Sequence, residues 1–285
     1  IDLRNNSGAT IPGFIFNLSG GAGDDTYIYA GTTAGAIRIN DITPPTQQQL
    51  MKFQFPIEAG VPRLGFGSLK MTFNGNPVEV HFENFDPNDV FGGPRDINVF
   101  EFDDVTLTYE QLLARGFDID GTAGDDTLSG TNTTDRINGL AGNDAITSGD
   151  GDDVITGGAG NDDLRGGRGN DTYIFNRVDG RDVITDNQGI DQITFGPGVD
   201  LSDLRVTQQG DDLIIGLLDN GQPTDDQITL SNWFVDGNRQ VEMVQLSSGE
   251  TVSAAELEAM IPTENAYRYY RFTPTKLRND ATANS

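Results

Sequence analysis

From Gly121 onward the apolar residues fall nine positions apart, each two places after an aspartate and behind a cluster of glycines. Six nonapeptides run without a gap: GTAGDDTLS, GTNTTDRIN, GLAGNDAIT, SGDGDDVIT, GGAGNDDLR and GGRGNDTYI. The sixth position is Asp126, Asp135, Asp144, Asp153, Asp162 and Asp171, and the eighth is Leu128, Ile137, Ile146, Ile155, Leu164 and Tyr173. Self-similarity of this kind marks a repeat architecture. Each repeat divides into a six-residue turn and a three-residue strand. Glycine at the first, second and fourth positions supplies backbone angles that other residues resist. The strand sends its one apolar residue inward, because neighbours in a strand alternate faces. The pattern predicts a flattened right-handed coil of parallel strands, with successive turns on opposite edges. Turns two repeats apart then stack on one edge, which brings together aspartates eighteen residues apart.

Outside the roll the apolar pattern repeats on a larger scale. A further nonapeptide, GGAGDDTYI, spans Gly20 to Ile28 with Asp25 in sixth place, and like GGRGNDTYI it ends in Thr-Tyr-Ile. "VEVHFENF" parallels "QITLSNWF", setting Val80, Phe82, Asn84 and Phe85 opposite Ile228, Leu230, Asn232 and Trp233. "INVFEFDDVTLTYEQLL" parallels "VEMVQLSSGETVSAAEL", and both enter a helix through a capping box, Thr108 with Gln111 and Ser253 with Glu256. The expected fold is therefore all-β: a right-handed parallel β-roll of nonapeptide repeats flanked by two related antiparallel β units. Each unit closes with a short helix, near 108–115 and 253–261. The expected divisions are 1–119 for a divergent first unit, 120–195 for the roll, 196–262 for the second unit and 263–285 for a tail or linker. "TPPTQQQLMKFQFPIEAGVPRL" has no clear counterpart in the second unit. Asp182 and Asp191 keep the Asp-x-apolar spacing after an eleven-residue step from Asp171, and read as a degenerate continuation where no metal is expected.

Charge changes the picture. Against 18 Lys and Arg stand 44 Asp and Glu, a formal charge of -26. That excludes nucleic acid, whose phosphates demand basic residues, and an anionic membrane surface. No apolar run is long enough to span a membrane. With no Cys, disulfides and thiolate metal sites are out, which leaves hard oxygen ligands. Stacked rows of carboxylates repel unless a cation lies between them. Calcium takes six to eight oxygens in flexible geometry, whereas magnesium requires a stricter octahedron. Several Ca2+ ions are expected, shared by Asp126 with Asp144, Asp144 with Asp162, Asp135 with Asp153, and Asp153 with Asp171. Backbone carbonyls of the turns complete the sites, at Gly139, Ala141, Gly149, Asp150, Gly157, Ala159, Gly166 and Arg168. Asp25, in its lone repeat, requires a partner from elsewhere.

"GGAGNDDLR" and "GGRGNDTYI" resemble the GGxGxDxUx nonapeptide of RTX (repeats-in-toxin) proteins. "DVITDNQGIDQITFGPGV", "DLRVTQQGDDLIIGL" and "QITLSNWF" resemble the haemolysin-type calcium-binding-related domain that follows such repeats. The resemblance implies a parallel β-roll with calcium in its turns, secretion from a bacterium and folding after export. Three repeats depart from the pattern: GTNTTDRIN has Gly only in first place, Leu140 stands where a second Gly belongs, and Ser148 opens the fourth. Sites that use the second repeat's turn are expected to be weak or vacant.

No catalytic constellation emerges, so the chain is not read as an enzyme. The only His, His81, mirrors Thr229 on a solvent-side strand position, and no Gly-x-Ser-x-Gly elbow occurs. Asp103–Asp104 reads as a tight turn, and Trp233 as core. The expected function is a calcium-binding structural or adhesive module of a secreted surface protein, such as an adhesin, filament or surface-layer component. Its partners would be a host or surface ligand, or further copies stacked head to tail. The alternatives are an ancillary module of a secreted lipase, protease or alginate epimerase, or a module cleaving itself at Asp86-Pro87. Starting at Ile1 without Met or a signal-like segment, the chain is expected to be a processed or cut piece.

Overall fold

The computed structural model describes residues 14–20, 23–29, 35–40, 48–55, 60–65, 68–73, 76–82, 84–92, 96–186, 188–235 and 241–262. Tail residues 263–285 lie outside these. Ahead of the repeats come β1 (Phe14–Leu18), β2 (Thr26–Tyr29), β3 (Gly35–Ile39), β4 (Leu50–Phe53), β5 (Gly60–Gly65), β6 (Ser68–Phe73), β7 (Asn76–Phe82), β8 (Val99–Glu101), β9 (Thr106–Thr108) and helix α1 (Tyr109–Leu113). The roll holds β10 (Phe117–Asp120), β11 (Thr127–Ser129), β12 (Asp135–Asn138), β13 (Ala145–Asp150), β14 (Val154–Thr156), β15 (Asp163–Arg168), β16 (Thr172–Phe175), β17 (Arg181–Ile184) and β18 (Gln192–Phe195). After it come β19 (Leu204–Gln209), β20 (Asp212–Asp219), β21 (Gln222–Leu230), β22 (Met243–Gln245), β23 (Thr251–Ser253) and α2 (Ala254–Ala259). The chain is all-β apart from these short helices.

In the roll, even-numbered strands β10 to β18 pair in parallel in one sheet and odd-numbered strands β11 to β17 in the facing one. The registers stack the inward residues in columns. Ile119, Ile137, Ile155, Tyr173, Ile193 and Val244 lie in line on one face. Leu128, Ile146, Leu164, Ile184 and Leu230 lie in line on the other. All but the half-buried Leu128 are sealed in the core. One apolar residue in nine is thin material for burial to offset the entropy of ordering the chain.

The second unit continues both sheets. β21 joins β17 and β22 joins β18 in parallel, while β19-β20-β21 and β22-β23 are antiparallel. The first unit repeats this arrangement strand for strand. β7 joins β3 and β8 joins β4 in parallel, with β5-β6-β7 and β8-β9 antiparallel. Within segment 43–64, which has no counterpart by sequence, the described strands do have one: β4 matches β18 and β5 matches β19. Apolar identity hid this, since Met51 and Phe53 stand where Ile193 and Phe195 stand, and all four are buried. Both capping boxes form, with Gln111 N–H donating to Thr108 and Glu256 N–H to Ser253. Through a β5–β10 pairing at Arg63 and Asp118, one sheet of 12 strands runs from the first unit through the roll into the second.

Loop Asp86–Gly92 seats the first unit on the roll. Val90 N–H donates to Asn132 Oδ1 at 3.1 Å, and Phe85 packs on Phe117 with ring centroids 5.6 Å apart. Asn132 sits in the glycine-poor second repeat, so that departure serves a contact. Asp86-Pro87 opens an exposed turn in which Asp86 Oδ1 accepts from Asn88 N–H at 2.9 Å. Trp233 is wholly buried, with Nε1 donating to Glu258 at 2.9 Å. Asp103 and Asp104 form the exposed turn between β8 and β9. His81 lies 3.3 Å from Glu79.

Candidate metal centre

Each sixth-position aspartate stands between a turn and its strand, and its side chain reaches along the turn edge to the preceding coil. The structure joins these residues in two ladders. On one edge Asp126 N–H donates to Asp144 Oδ1 at 2.8 Å, Asp144 N–H to Asp162 Oδ1 at 2.8 Å, and Asp162 N–H to Asp182 Oδ1 at 3.0 Å. On the other, Asp135 N–H donates to Asp153 Oδ1 at 2.8 Å, Asp153 N–H to Asp171 Oδ1 at 2.9 Å, and Asp171 N–H to Asp191 Oδ1 at 2.8 Å. The four sharing pairs expected from spacing are all neighbours. The ladder also runs on into Asp182 and Asp191, which are full members of it rather than a decayed margin. Asp135, Asp144, Asp153, Asp162, Asp171, Asp182 and Asp191 are each no more than 2% exposed.

The second carboxylate oxygen divides the repeats into two kinds. Oδ2 of Asp144, Asp153, Asp162 and Asp171 is buried and has no hydrogen-bond partner. Asp126 Oδ2 instead accepts from Thr122 N–H at 2.6 Å and Thr122 Oγ1 at 2.9 Å. Asp135 Oδ2 likewise accepts from Thr131 N–H at 2.6 Å and Thr131 Oγ1 at 3.0 Å. The residue in second place decides. Leu140, Gly149, Gly158 and Gly167 hold φ at 76°, 114°, 97° and 110°. Thr122 and Thr131 avoid that left-handed region, which is costly for a β-branched residue, and turn both donors onto the carboxylate. Leu140 is the one non-glycine among the second-place residues that accepts the left-handed angle, at a cost on the order of 1 kcal/mol.

A buried ionised oxygen without a partner is too costly to persist. Among the described residues, the roll's arginines do not relieve these four. Arg136 pairs with Asp118, Arg165 with Asp163, Arg168 with Asp150 and Arg181 with Asp225, all turned outward, and the half-buried Arg177 pairs with Asp203. Hard, anionic oxygens in pairs fit a calcium ion. Asp144 with Asp162 and Asp153 with Asp171 would hold it, neutralised by its charge. The turn backbones lie close enough to contribute: Gly142 N–H donates to the Ala159 carbonyl at 2.9 Å and Gly151 N–H to that of Arg168 at 2.7 Å. A Cβ on Gly160 would run into the Gly142 carbonyl oxygen, so no other residue fits there. Side chains of Asp150 and Arg168 point outward, leaving only their carbonyls as candidates.

Without metal, burial raises the pKa of these carboxyls. Burial, and then the charge of Asp153, pushes Asp135 up to about 7. Burial and the Asp144 charge push Asp162 to about 6. Burial and the charges of Asp153, Asp186 and Asp191 push Asp171 to about 8. Burial and the charges of Asp162, Asp179 and Asp226 push Asp182 to about 8. Folded, these groups bind more protons than unfolded ones near the usual 3.8, so metal-free stability is full below that value and falls as pH rises toward 8. Metal-stripped protein will accordingly gain β-sheet ellipticity when taken from about pH 8.5 to about pH 5. Loss of ellipticity over that range would contradict the assignment.

Several participants escaped the sequence reading. A second, outer ladder runs through the fifth positions: Asn143 N–H donates to Asp125 Oδ1 at 2.7 Å, Asn161 N–H to Asn143 Oδ1 at 3.0 Å and Asn170 N–H to Asp152 Oδ1 at 2.7 Å. The Asp or Asn before Asp126, Asp144, Asp153, Asp162 and Asp171 was its signal. The backbone of Asp25 is held within the first unit, its N–H donating to Gln49 Oε1 at 3.0 Å and Gln49 N–H donating to Asn98 Oδ1 at 2.8 Å, while Asp25 Oδ2 is buried without a hydrogen-bond partner, like that of Asp171. In the second unit the same rungs are Asp171, Asp191 and Glu242. After a shared first aspartate, the first unit thus carries amides where the second carries acids.

A parallel roll with paired, unpartnered carboxylates along its turns defines a cation-binding class of protein. Residues 118–146 and 139–173 match the RTX calcium-binding nonapeptide repeat (4 copies), and residues 212–256 match the haemolysin-type calcium binding protein related domain. The chain carries RTX repeats, which bind Ca2+, followed by their related domain. No curated protein matches it significantly. Among solved structures it is similar to the extracellular lipase LipA from Serratia marcescens, at 18% identity and a TM-score of 0.35, over 85% of this chain and 41% of that one. The chain therefore spans less than half of that lipase's length.

Proposed function

We propose that this chain is a calcium-loaded structural or adhesive module of a secreted bacterial surface protein, and that it folds on meeting extracellular calcium. The observation that carries the reading is the row of four buried, partnerless Oδ2 atoms on Asp144, Asp153, Asp162 and Asp171. Calcium bound to the folded form alone draws the chain into that form by mass action. Low calcium before export and high calcium after it would then make folding follow secretion. The tandem plan favours a structural role: two like units with a roll between them, divided near 119 and 195, share one sheet of 12 strands. Among the described residues this sheet ends on β1 at the first unit and on β23 at the second, and open edges at both ends support head-to-tail contact between copies. Among the described residues no helix is long and apolar enough to cross a membrane. Antibody labelling of intact cells and spent medium tests the reading. Label outside the cell, held at the surface only with calcium, is expected; label confined within contradicts it.

A further inference from the structure

Where the ladder on one edge meets the second unit, the turn chemistry changes. First place in the turns of this edge is Gly130, Ser148, Gly166 and then Asp186. A carboxylate therefore stands where the earlier turns of this edge keep a small residue. Asp186 is buried beside Asp171 and Asp191, and one oxygen from each of the three lies within 4.8 Å of the others. Tyr173 fixes the arrangement from below: its hydroxyl donates to Asp186 Oδ2 at 2.5 Å and accepts from Gly166 N–H at 2.8 Å. Asp171 Oδ2 has no hydrogen-bond partner, in a residue only 1% exposed. It lies over Gly166 on the side of the Tyr173 hydroxyl, since a Cβ on Gly166 would meet both atoms. An unsatisfied oxygen is thus aimed at the place where the other two carboxylates converge.

We propose that Asp171, Asp186 and Asp191 form a calcium site of three side-chain carboxylates that ends this ladder and fastens the second unit to the roll. The inference rests on the calcium-binding reading above. It differs from the turn sites in drawing a carboxylate from first place and in its orienting tyrosine. Three hard anionic oxygens suit a divalent ion that takes six to eight oxygens, with backbone or water supplying the rest. Coupling to the second unit runs through Asp191, whose N–H donates to Glu242 Oε2 at 2.7 Å beside the β18–β22 pairing. The first unit supplies an internal comparison. At the rungs of Asp191 and Glu242 it has Gln49 and Asn98, and there the Gln49 amide donates to the Gly23 carbonyl at 2.9 Å. Both copies keep an open Oδ2 on the first rung, Asp25 and Asp171, but the two rungs after it are amides in one copy and acids in the other.

The test is a calcium count by equilibrium dialysis and elemental mass spectrometry on the full chain, with Ca2+ as the only divalent ion. Wild type is compared with Asp186→Asn, which keeps the shape, and Asp186→Gly, which restores the small residue of the other turns. Each variant is expected to carry one ion fewer per chain and to keep its roll ellipticity in calcium. A wild type with several ions and variants with the same number, at affinities within about twofold, would overturn this site alone. A wild type with no calcium would overturn the calcium reading as well. Terbium supplies a second readout independent of the Asp186 variants. Emission sensitised through Tyr173 should fall by at least about half in Tyr173→Phe at an unchanged metal count, and undiminished emission would overturn the placement.

Discussion

Stripping calcium at neutral pH will unfold the roll and the second unit while leaving much of the first unit in place. An ion that binds only the folded form contributes about 2.7 kcal/mol when its free concentration is 100 times its Kd. Ions at Asp144–Asp162 and at Asp153–Asp171 would together supply about twice that, comparable with the whole stability of a small domain. Their removal leaves four partnerless oxygens in buried carboxyls and a core with one apolar residue in nine. The first unit has a different balance. Its core is aromatic, with Phe53 stacked on Phe102 at 4.8 Å between centroids and Tyr29 set edge-on to Phe53 at 6.3 Å. Among the described residues its ladder has a single open oxygen, Asp25 Oδ2, and runs on through Gln49 and Asn98, which are neutral. Hydrogen exchange should show β2 and β4 still protected after chelation, while β13 to β16 exchange freely. Uniform protection before and after chelation would refute this.

Replacing Asp153 or Asp162 by Asn will weaken calcium binding by about two orders of magnitude, near 3 kcal/mol, as expected when one partner of a buried charge pair is removed. The isostere keeps the Oδ1 that accepts from Asp135 or Asp144, so the ladder itself survives. It also puts an N–H2 donor where the structure leaves an unpartnered Oδ2. Asp126→Asn provides the contrast. There Oδ2 already accepts from both donors of Thr122, so calcium affinity should shift by less than about tenfold. Calorimetric titration of the three variants distinguishes the two kinds of turn, and equal losses in all three would remove the distinction.

The roll could be read from the chain because its period is strict. Asp144 and Asp162 are eighteen residues apart, and that spacing alone places them on one edge. The departure at Thr131 was visible, yet its cause was not, because whether a threonine hydroxyl turns onto its own aspartate depends on the backbone angle of the turn. Asp186 was missed for another reason. The loop after Tyr173 lengthens the ladder step from eighteen to 20 residues, so the repeat register no longer points to it. The equivalence of Gln49 with Asp191 rests on strand pairing across distant stretches, Thr26 with Leu50 and Thr172 with Gln192, and neither stretch resembles the other in sequence.

The claim beneath all of this is that a cation completes the oxygens left open on Asp144, Asp153, Asp162 and Asp171. Anomalous diffraction from crystals grown in calcium locates such ions directly. The account predicts peaks about 2.3–2.6 Å from those four Oδ2 atoms, with none confined to the threonine-closed turns of Asp126 and Asp135. An ordered roll with no anomalous density beside any of the four would contradict it.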